Sequence, residues 1–381
     1  MMNEYDILIL GGGPSGLSAA LHLAQRTSPR FSPSILILER EHYPRPKLCA
    51  GGLTLDAERI LQNLNLDVTE IPHVDVARTS FDFCGRGLNI GRAKAPPLRV
   101  IRRVEFDAWL ARKAESRGLE IREGVAVRKV IPDHHGVTVE TDKGIFRAKM
   151  IVGADGSNGV TRKCVFPGAP IHTARALEVI VAQASSLRHN RAYFDFFPVP
   201  QNIAGYTWDF PTQINGQPAR CWGIYDTNLL ASETRPALKE TLAQEMARHG
   251  FDFNEYELKG HPIRWYAPTN PLSAERVILV GDAAGTDALF GEGISMALGY
   301  GFLAAQEIEE AFRKNNFSFN GYKRRIQRSG LGQTLYARWV LTNIIYALKW
   351  SWFQFLLWRI FQPVVLLVAW VFVLNWSKRL K

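Results

Sequence analysis

The sequence predicts an α/β fold: a discontinuous Rossmann-like domain, an antiparallel-sheet α+β domain set into it, and a hydrophobic helical segment after both. Three observations predict it. An apolar strand near the start runs into a GxGxxG turn and a helix; further apolar strands far downstream end in polar glycine turns; and short aromatic strands separated by turn signals fill the stretch between them.

The first unit spans residues 5 to 40. Tyr5 to Leu10 form a nearly unbroken apolar run, as expected for a parallel strand covered on both faces. Gly11, Gly12, Gly13, Pro14, Ser15 and Gly16 follow, and then a helix from Leu17 to about Arg26. Gly11 permits a tight turn, Gly13 lets backbone approach a pyrophosphate, and Gly16 lets the helix pack on the strand. The free N–H groups and positive end of the helix bind the phosphates. A second strand, Ile35 to Leu38, ends in Glu39 and Arg40, and Glu39 stands where an acid accepts hydrogen bonds from a ribose. The unit is expected to hold an adenosine diphosphate group.

At 381 residues the chain is long enough for two domains and an appended segment. Its formal net charge of +10 suits an anionic partner: a diphosphate, a membrane surface or nucleic acid. Nucleic acid is the weakest of these, because neither an aromatic RNA-binding signature nor zinc-finger spacing occurs. Cys49, Cys84, Cys164 and Cys221 are scattered without CxxC spacing, and no basic and apolar leader precedes the first strand. A cytoplasmic location in a reducing compartment is expected, without a metal site.

The stretch Arg40 to Thr54 is rich in Pro, Gly and basic residues, and Gly51 with Gly52 brings backbone within reach of a ligand. A helix over Leu55 to Leu64 leads to a first excursion into the second domain, with Phe81 and Phe83. The chain returns through Arg102 and Arg103 to a helix with Phe106, Trp109, Leu110 and Ala114 at helical spacing, closed by Gly118. Short strands around Val125 to Val139 precede Met150 to Val152, which ends in Gly153, Ala154, Asp155 and Gly156. Between Val165 and Lys259 the strands Leu177 to Ala182, Tyr193 to Phe197, Tyr206 to Phe210 and Cys221 to Tyr225 alternate with turns, and one helix lies near Pro236 to His249. This is an antiparallel sheet whose aromatic face suits either a bulky apolar ligand or a core. Val277 to Val280 is a third buried strand, ending in Gly281 and Asp282. Gly291, Glu292 and Gly293 then open a helix at Ile294 that is rich in small residues, suited to lie against a cofactor or a sheet. The expected domains are 1–72, 99–165 and 262–330 for the dinucleotide domain, 73–98 and 166–261 for the second, and 331–381 for the hydrophobic segment.

These segments together resemble a flavoprotein group that includes aromatic hydroxylases, flavin-dependent halogenases and the geranylgeranyl reductase family, over roughly residues 1 to 330. The resemblance implies that the first turn binds the ADP half of FAD, that Gly281 and Asp282 contact its ribityl chain, and that Arg103 is another FAD contact. Within the group, Gly205 to Pro211 is similar to the reductase signature YxWxFP, carried by Tyr206, Trp208, Phe210 and Pro211. Cys49, Ala50 and Gly51 resemble the family's cysteine and glycine loop beside the flavin, with Ala50 where many relatives have glycine. Gly291 to Ile294 matches its GEGI segment. The resemblance implies reduction of isolated C=C bonds in a prenyl chain of a lipid, quinone or pigment precursor, with a hydride from flavin N5 and a proton from Tyr206, Cys49 or water. Tyr206, Trp208 and Phe210 share one face of a strand at period two and border either a prenyl channel or a core. No second dinucleotide fingerprint occurs, so the electron donor is external: NAD(P)H, ferredoxin or a quinol. The alternatives are a flavin monooxygenase or halogenase and a non-redox cyclase or isomerase.

The segment from Trp339 to Trp376 carries six tryptophans among dense aliphatic residues, interrupted by Lys349 and Arg359. Its apolar runs are short for a membrane crossing, so interfacial helices are expected, with Lys378, Arg379 and Lys381 toward anionic lipid. The competing reading is a helical cap. On the interfacial reading the protein is peripherally membrane-associated and a chain ending near residue 330 keeps its fold.

Overall fold

The computed structural model describes residues 3–91, 96–182, 190–229 and 237–380. The first strand, Asn3–Leu10, is fully buried from Ile7 to Leu10, as its unbroken apolar run requires. It lies between Ile35–Leu38 and Gly144–Gly153, and the parallel sheet continues to Glu120–Arg122 on one side and Val277–Leu279 on the other. Ser273–Ala274 adds an antiparallel edge. Gly144–Gly153 is longer than its apolar core because its far edge is shared: residues 144–148 pair with the hairpin strand Gly136–Thr141, and residues 151–153 with Val277–Leu279.

Backbone bonds carry the sheet into its loops. Gly11 N–H donates to Leu38 O (2.8 Å), Ala154 N–H to Leu10 O (2.9 Å) and Val280 N–H to Gly153 O (3.0 Å). The turns after three parallel strands therefore emerge side by side at the carboxyl edge, where open α/β sheets bind ligands. Pro14–Arg26 and the long helix Ile294–Lys314 pack on each other. A Cβ on Gly301 would lie 2.5 Å from Ser18 Oγ, and that hydroxyl donates to Leu298 O at 2.8 Å. Here Gly301 serves contact with another helix, while Ala297, nearer the start of the long helix, faces the large cavity of the molecule. Gly299 likewise makes room for the ring of Trp376, 2.7 Å from its ideal Cβ.

The second sheet has seven strands in the order Lys259–Arg264, Thr173–Ala182, Gln217–Asp226, Gly205–Ile214, Arg191–Asp195, Arg78–Phe83 and Arg86–Gly91. Arg191–Asp195 runs parallel to Arg78–Phe83, although every other neighbour is antiparallel. Those two strands come from separate excursions of the chain, so no hairpin fixes their direction. The sheet reaches Arg264, past the boundary expected at residue 261, and His73–Val76 leaves it for a small sheet with Leu98–Ile101 and Gly52–Thr54. The helix expected from Pro236 is Leu238–Arg248, Pro236 itself lying outside the described residues. It covers the face formed by Val179, Val181, Trp222 and Ile224, leaving the opposite face toward the first domain.

Residues 330–379 form the helix Gly330–Ala347, two bent helical stretches over 351–360 and 362–373, and a last turn at Trp376–Arg379. Among the described residues no single helix is long and apolar enough to cross a membrane; the pair Ser351–Ile360 and Gln362–Arg379, bent by 79°, passes by length and composition only when joined. The segment has two faces. Trp358 (3 % exposed) stacks on Phe196 at 4.0 Å and Trp376 (0 %) is fully buried, whereas Trp350, Trp352 and Trp370 are 58 %, 59 % and 66 % exposed. Cap and exposed apolar surface thus coexist. Arg338 of the first of these helices bonds Asp287 and Glu292, each at 2.6 Å, so ending the chain near residue 330 leaves the buried Asp287 and the half-buried Glu292 without their cation. A chain ending near residue 330 is therefore expected to lose stability, which favours the helical cap. Lys378 and Arg379 follow this surface; Lys381 lies outside the described residues.

Candidate active site

One cavity of about 710 Å³ runs from the glycine turns to the aromatic face of the second sheet. At its polar end stand Gly11, Gly13, Pro14, Ser15, Glu39, Arg40, Asp155 and Asp282. Gly16 and Gly281 sit behind this surface. The glycines divide by what confines them. A Cβ on Gly11 (φ +112°) would meet Ala154 O at 2.4 Å, and one on Gly16 would meet Gly11 O at 2.1 Å, so the protein's own packing requires both. A Cβ on Gly13 would meet only Arg45, at 3.7 Å, and one on Gly293 only Asp282, at 3.8 Å. These two positions are open toward the cavity, leaving backbone accessible to a ligand.

The carboxylates at this end are fixed. Glu39 accepts the N–H of Gly12 (2.7 Å) and of Glu41 (3.0 Å). Arg103 grips Asp107 through two bonds of 2.7 and 2.8 Å, and Asp107 also pairs with Arg45 at 3.1 Å. Burial disfavours the Arg103 charge, but Asp107 outweighs it and holds the guanidinium above its ordinary range. Arg45 Nε, buried at the cavity wall, has no protein partner. Asp282 accepts from Ser157 Oγ at 3.0 Å. Asp155 accepts Thr161 N–H at 2.8 Å through one oxygen, while its Oδ1 has no partner and burial raises its pKa. Open glycines, a helix N-terminus, an oriented acid and an unpartnered guanidinium nitrogen fit a dinucleotide diphosphate.

Cys49, Ala50, Gly51 and Gly52 line the middle of the cavity. Gly51 has φ +80° and a Cβ there would lie 1.9 Å from Ile101 O, so the loop turns only as glycine. Gly51 N–H donates to Cys49 Sγ at 3.4 Å, and burial pushes the thiol up. Across from the loop lie Glu292, Gly293 and Ile294 at the start of the long helix. Lys47 donates to His261 Nε2 at 2.5 Å; burial, then the Lys47 charge, lowers His261 to about 4, so it is the neutral acceptor.

At the far end Tyr206, Trp208 and Phe210 line the cavity together, joined by Phe81, Phe194, Tyr225 and Phe290. Phe81 stacks on Phe194 at 4.8 Å, and Phe194 meets Phe210 edge-on at 5.0 Å. Pro211 does not line it: period two turns that residue to the other face, with Asp209, whose carboxylate holds Arg220 at 2.6 Å. The Tyr206 hydroxyl donates to Phe290 O, and burial raises its pKa well above that of an ordinary phenol. Arg45, His261, Glu178 and Arg338 line the cavity as well and were not singled out from the sequence. A charged residue inside the apolar run Leu177 to Ala182 was the available signal for Glu178.

Comparison with known proteins agrees with this geometry. Residues 4–294 match the FAD binding domain family. Digeranylgeranylglycerophospholipid reductase 1 of Methanopyrus kandleri is 25 % identical over 348 residues, covering 84 % of this chain and 84 % of that protein. The geranylgeranyl bacteriochlorophyll reductase-like protein of Thermoplasma acidophilum superposes with a TM-score of 0.82 at 22 % identity, over 100 % of this chain and 99 % of that one. The flavin-dependent halogenase CmlS gives a TM-score of 0.67 at 21 % identity, over 90 % of this chain and 66 % of its own. The fold is that of this flavoprotein group.

Proposed function

Since the chain belongs to the FAD binding domain family and is an FAD-dependent oxidoreductase of the geranylgeranyl reductase-like type, we propose that it reduces isolated C=C bonds in the prenyl chain of a lipid, quinone or pigment precursor. The observation that carries this reading is the continuity of the cavity: the glycine turns and the aromatic wall open into one space, so a cofactor on the first and an apolar chain along the second meet inside it.

When bound, reduced FAD supplies a hydride. The chain's own residues do the rest. Gly13, Ser15 and the helix N-terminus hold the pyrophosphate, Arg45 neutralises it, Glu39 orients the ribose, and the loop Cys49 to Gly52 with Gly293 and Ile294 encloses the ring system. Tyr206, Trp208, Phe210, Phe194 and Phe81 align the prenyl chain and exclude water. An isolated alkene has no carbonyl to polarise, so this orientation in a dry site is the main way to lower its barrier. An external donor of the NAD(P)H, ferredoxin or quinol type renews the reductant.

The lipid reaches the cavity from a membrane surface. Trp350, Trp352 and Trp370 stand outward on the segment whose Val373, Leu374 and Asn375 line the cavity, and the exposed Lys378 and Arg379 follow in the chain for anionic headgroups. Incubating the protein without oxygen, with a chemical reductant and geranylgeranyl lipids, is expected to add a pair of hydrogens per double bond by mass spectrometry. Gain of oxygen or halogen under air, with no gain of hydrogen without it, would assign the monooxygenase or halogenase chemistry instead; unchanged mass would assign an isomerase.

A further inference from the structure

Alkene reduction needs a proton as well as a hydride, and the cavity wall holds an acid that the family signatures do not contain. Glu178 sits on Thr173–Ala182, 6 % exposed, and lines the cavity. The sheet register places it in one row with Gly223 and Trp208. Gly223 is what brings the two side chains together: a Cβ there would lie 2.0 Å from the Trp208 ring, which extends over the glycine. Trp208 is itself only 6 % exposed, and its indole also lies within bonding reach of the Cys221 thiol.

Among the other carboxylates lining the cavity, Glu39 is held by backbone N–H groups, Asp282 by Ser157, Glu292 by Arg338, and Asp56 by Arg59 and Ser377, while Asp155, with one oxygen on Thr161 N–H and the other unpartnered, lies at the glycine end away from the aromatic wall. Glu178, which forms no ion pair among the described residues, is the carboxylate that shares a row with the aromatic wall. The groups facing it are the Cys49 backbone N–H from the loop, Cys221 Sγ at 3.9 Å from the next strand, and the more distant charges of Lys259 and Arg102. Burial raises its pKa to about 7, the N–H and the cations only partly opposing it. Cys49 and Tyr206, the other acids at hand, are pushed up by burial and are weaker donors, and the Tyr206 proton is already held by Phe290 O.

Resting on the reductase reading, we propose that Glu178 is the proton donor to the prenyl alkene, a catalytic acid in the aromatic half of the cavity. The π bond opens as one carbon takes the hydride supplied by bound reduced flavin and the other takes the Glu178 proton. Two C–H bonds form, the flavin is oxidised, and the O–H electron pair stays on the carboxylate, which solvent reprotonates.

The test uses the full-length protein, chemically reduced without oxygen, with geranylgeraniol in detergent micelles. Glu178→Gln is expected to keep its FAD, to lose roughly 10²- to 10⁴-fold in single-turnover reduction, and to lose the fall in rate that the wild type shows as pH rises through about 7. Glu178→Asp is expected to retain a pH-dependent limb at a lower rate. Independently of turnover, infrared titration is expected to show a protonated carboxyl band that disappears near the same pH and is missing in Glu178→Gln. Wild-type rate and pH profile in Glu178→Gln, or no carboxyl band titrating above pH 5 in the wild type, overturns the proposal. A wild type that leaves geranylgeraniol unreduced overturns the reductase reading itself, a result distinct from a wild type that reduces it equally well without Glu178.

Discussion

The two ends of the cavity are built on opposite rules. At the glycine end the side chains are small or polar: Gly13 and Gly293 leave backbone open, Glu39 and Asp107 are held by N–H groups and arginines, and Asp155 Oδ1 and Arg45 Nε are left for a ligand. At the aromatic end the side chains are large and close-packed, and the acid among them, Glu178, has no cation within ion-pair distance among the described residues. The first suits an anion read by N–H groups and preset charges, which loses little in reorganisation when it binds. The second suits an apolar chain recognised by area, where burial raises the pKa of a carboxyl to about 7. Under the proposed function, affinity for the cofactor and selectivity for the substrate are expected to reside in separable sets of residues.

The largest expected effect breaks the first end alone. In Gly13→Val the branched side chain enters space that only the ligand needs, and overpacking of this kind costs ~1–3 kcal/mol. FAD affinity should therefore fall about 10- to 100-fold with the melting temperature of the apo-protein unchanged, as read by flavin titration and thermal unfolding. Gly16→Val is the contrast: its side chain would strike Gly11 O, so the fold itself should suffer. Full flavin occupancy in Gly13→Val would remove that loop from the FAD site.

A smaller effect sharpens the account of how substrate enters. Trp370 is 66 % exposed on the outer face of the C-terminal segment. Replacing it by Ser should weaken sedimentation with anionic vesicles several-fold, about 1 kcal/mol for a partly inserted ring, and slow turnover of bilayer-embedded lipid more than of lipid in micelles. Unchanged vesicle binding in the combined Trp350, Trp352 and Trp370 to Ser variant would place the membrane contact elsewhere.

Much of the first domain was legible because backbone rules write it directly into sequence. A strand buried on both faces needs an unbroken apolar run, as in Ile7 to Leu10, and a turn of positive φ needs glycine, as at Gly11 and Gly51. The aromatic face was legible from period two, which also explains why Pro211 falls on the wrong side. What stayed hidden depends on partners distant in the chain. Arg338 meets Asp287 and Glu292 across some fifty residues, Lys47 meets His261 between domains, and Glu178 faces Cys49 only after the sheets close. The small residues of the long helix were visible but not their purpose, since helix, sheet and cofactor all accept close approach by glycine. The hydrophobic tail read as either cap or membrane face because composition averages over two faces that the fold separates.

The central claim, that the two ends act separately within one cavity, is tested most directly by Trp208→Ala, with FAD affinity and product distribution measured on the same preparation. Removing the ring that lies over Gly223 widens the apolar end and uncovers Glu178 without touching the glycine turns. FAD affinity is expected to stay within about twofold, as for independent sites, together with slower reduction and a changed set of double bonds reduced. Flavin affinity falling in step with turnover, or an unchanged product pattern at full rate, would contradict that claim.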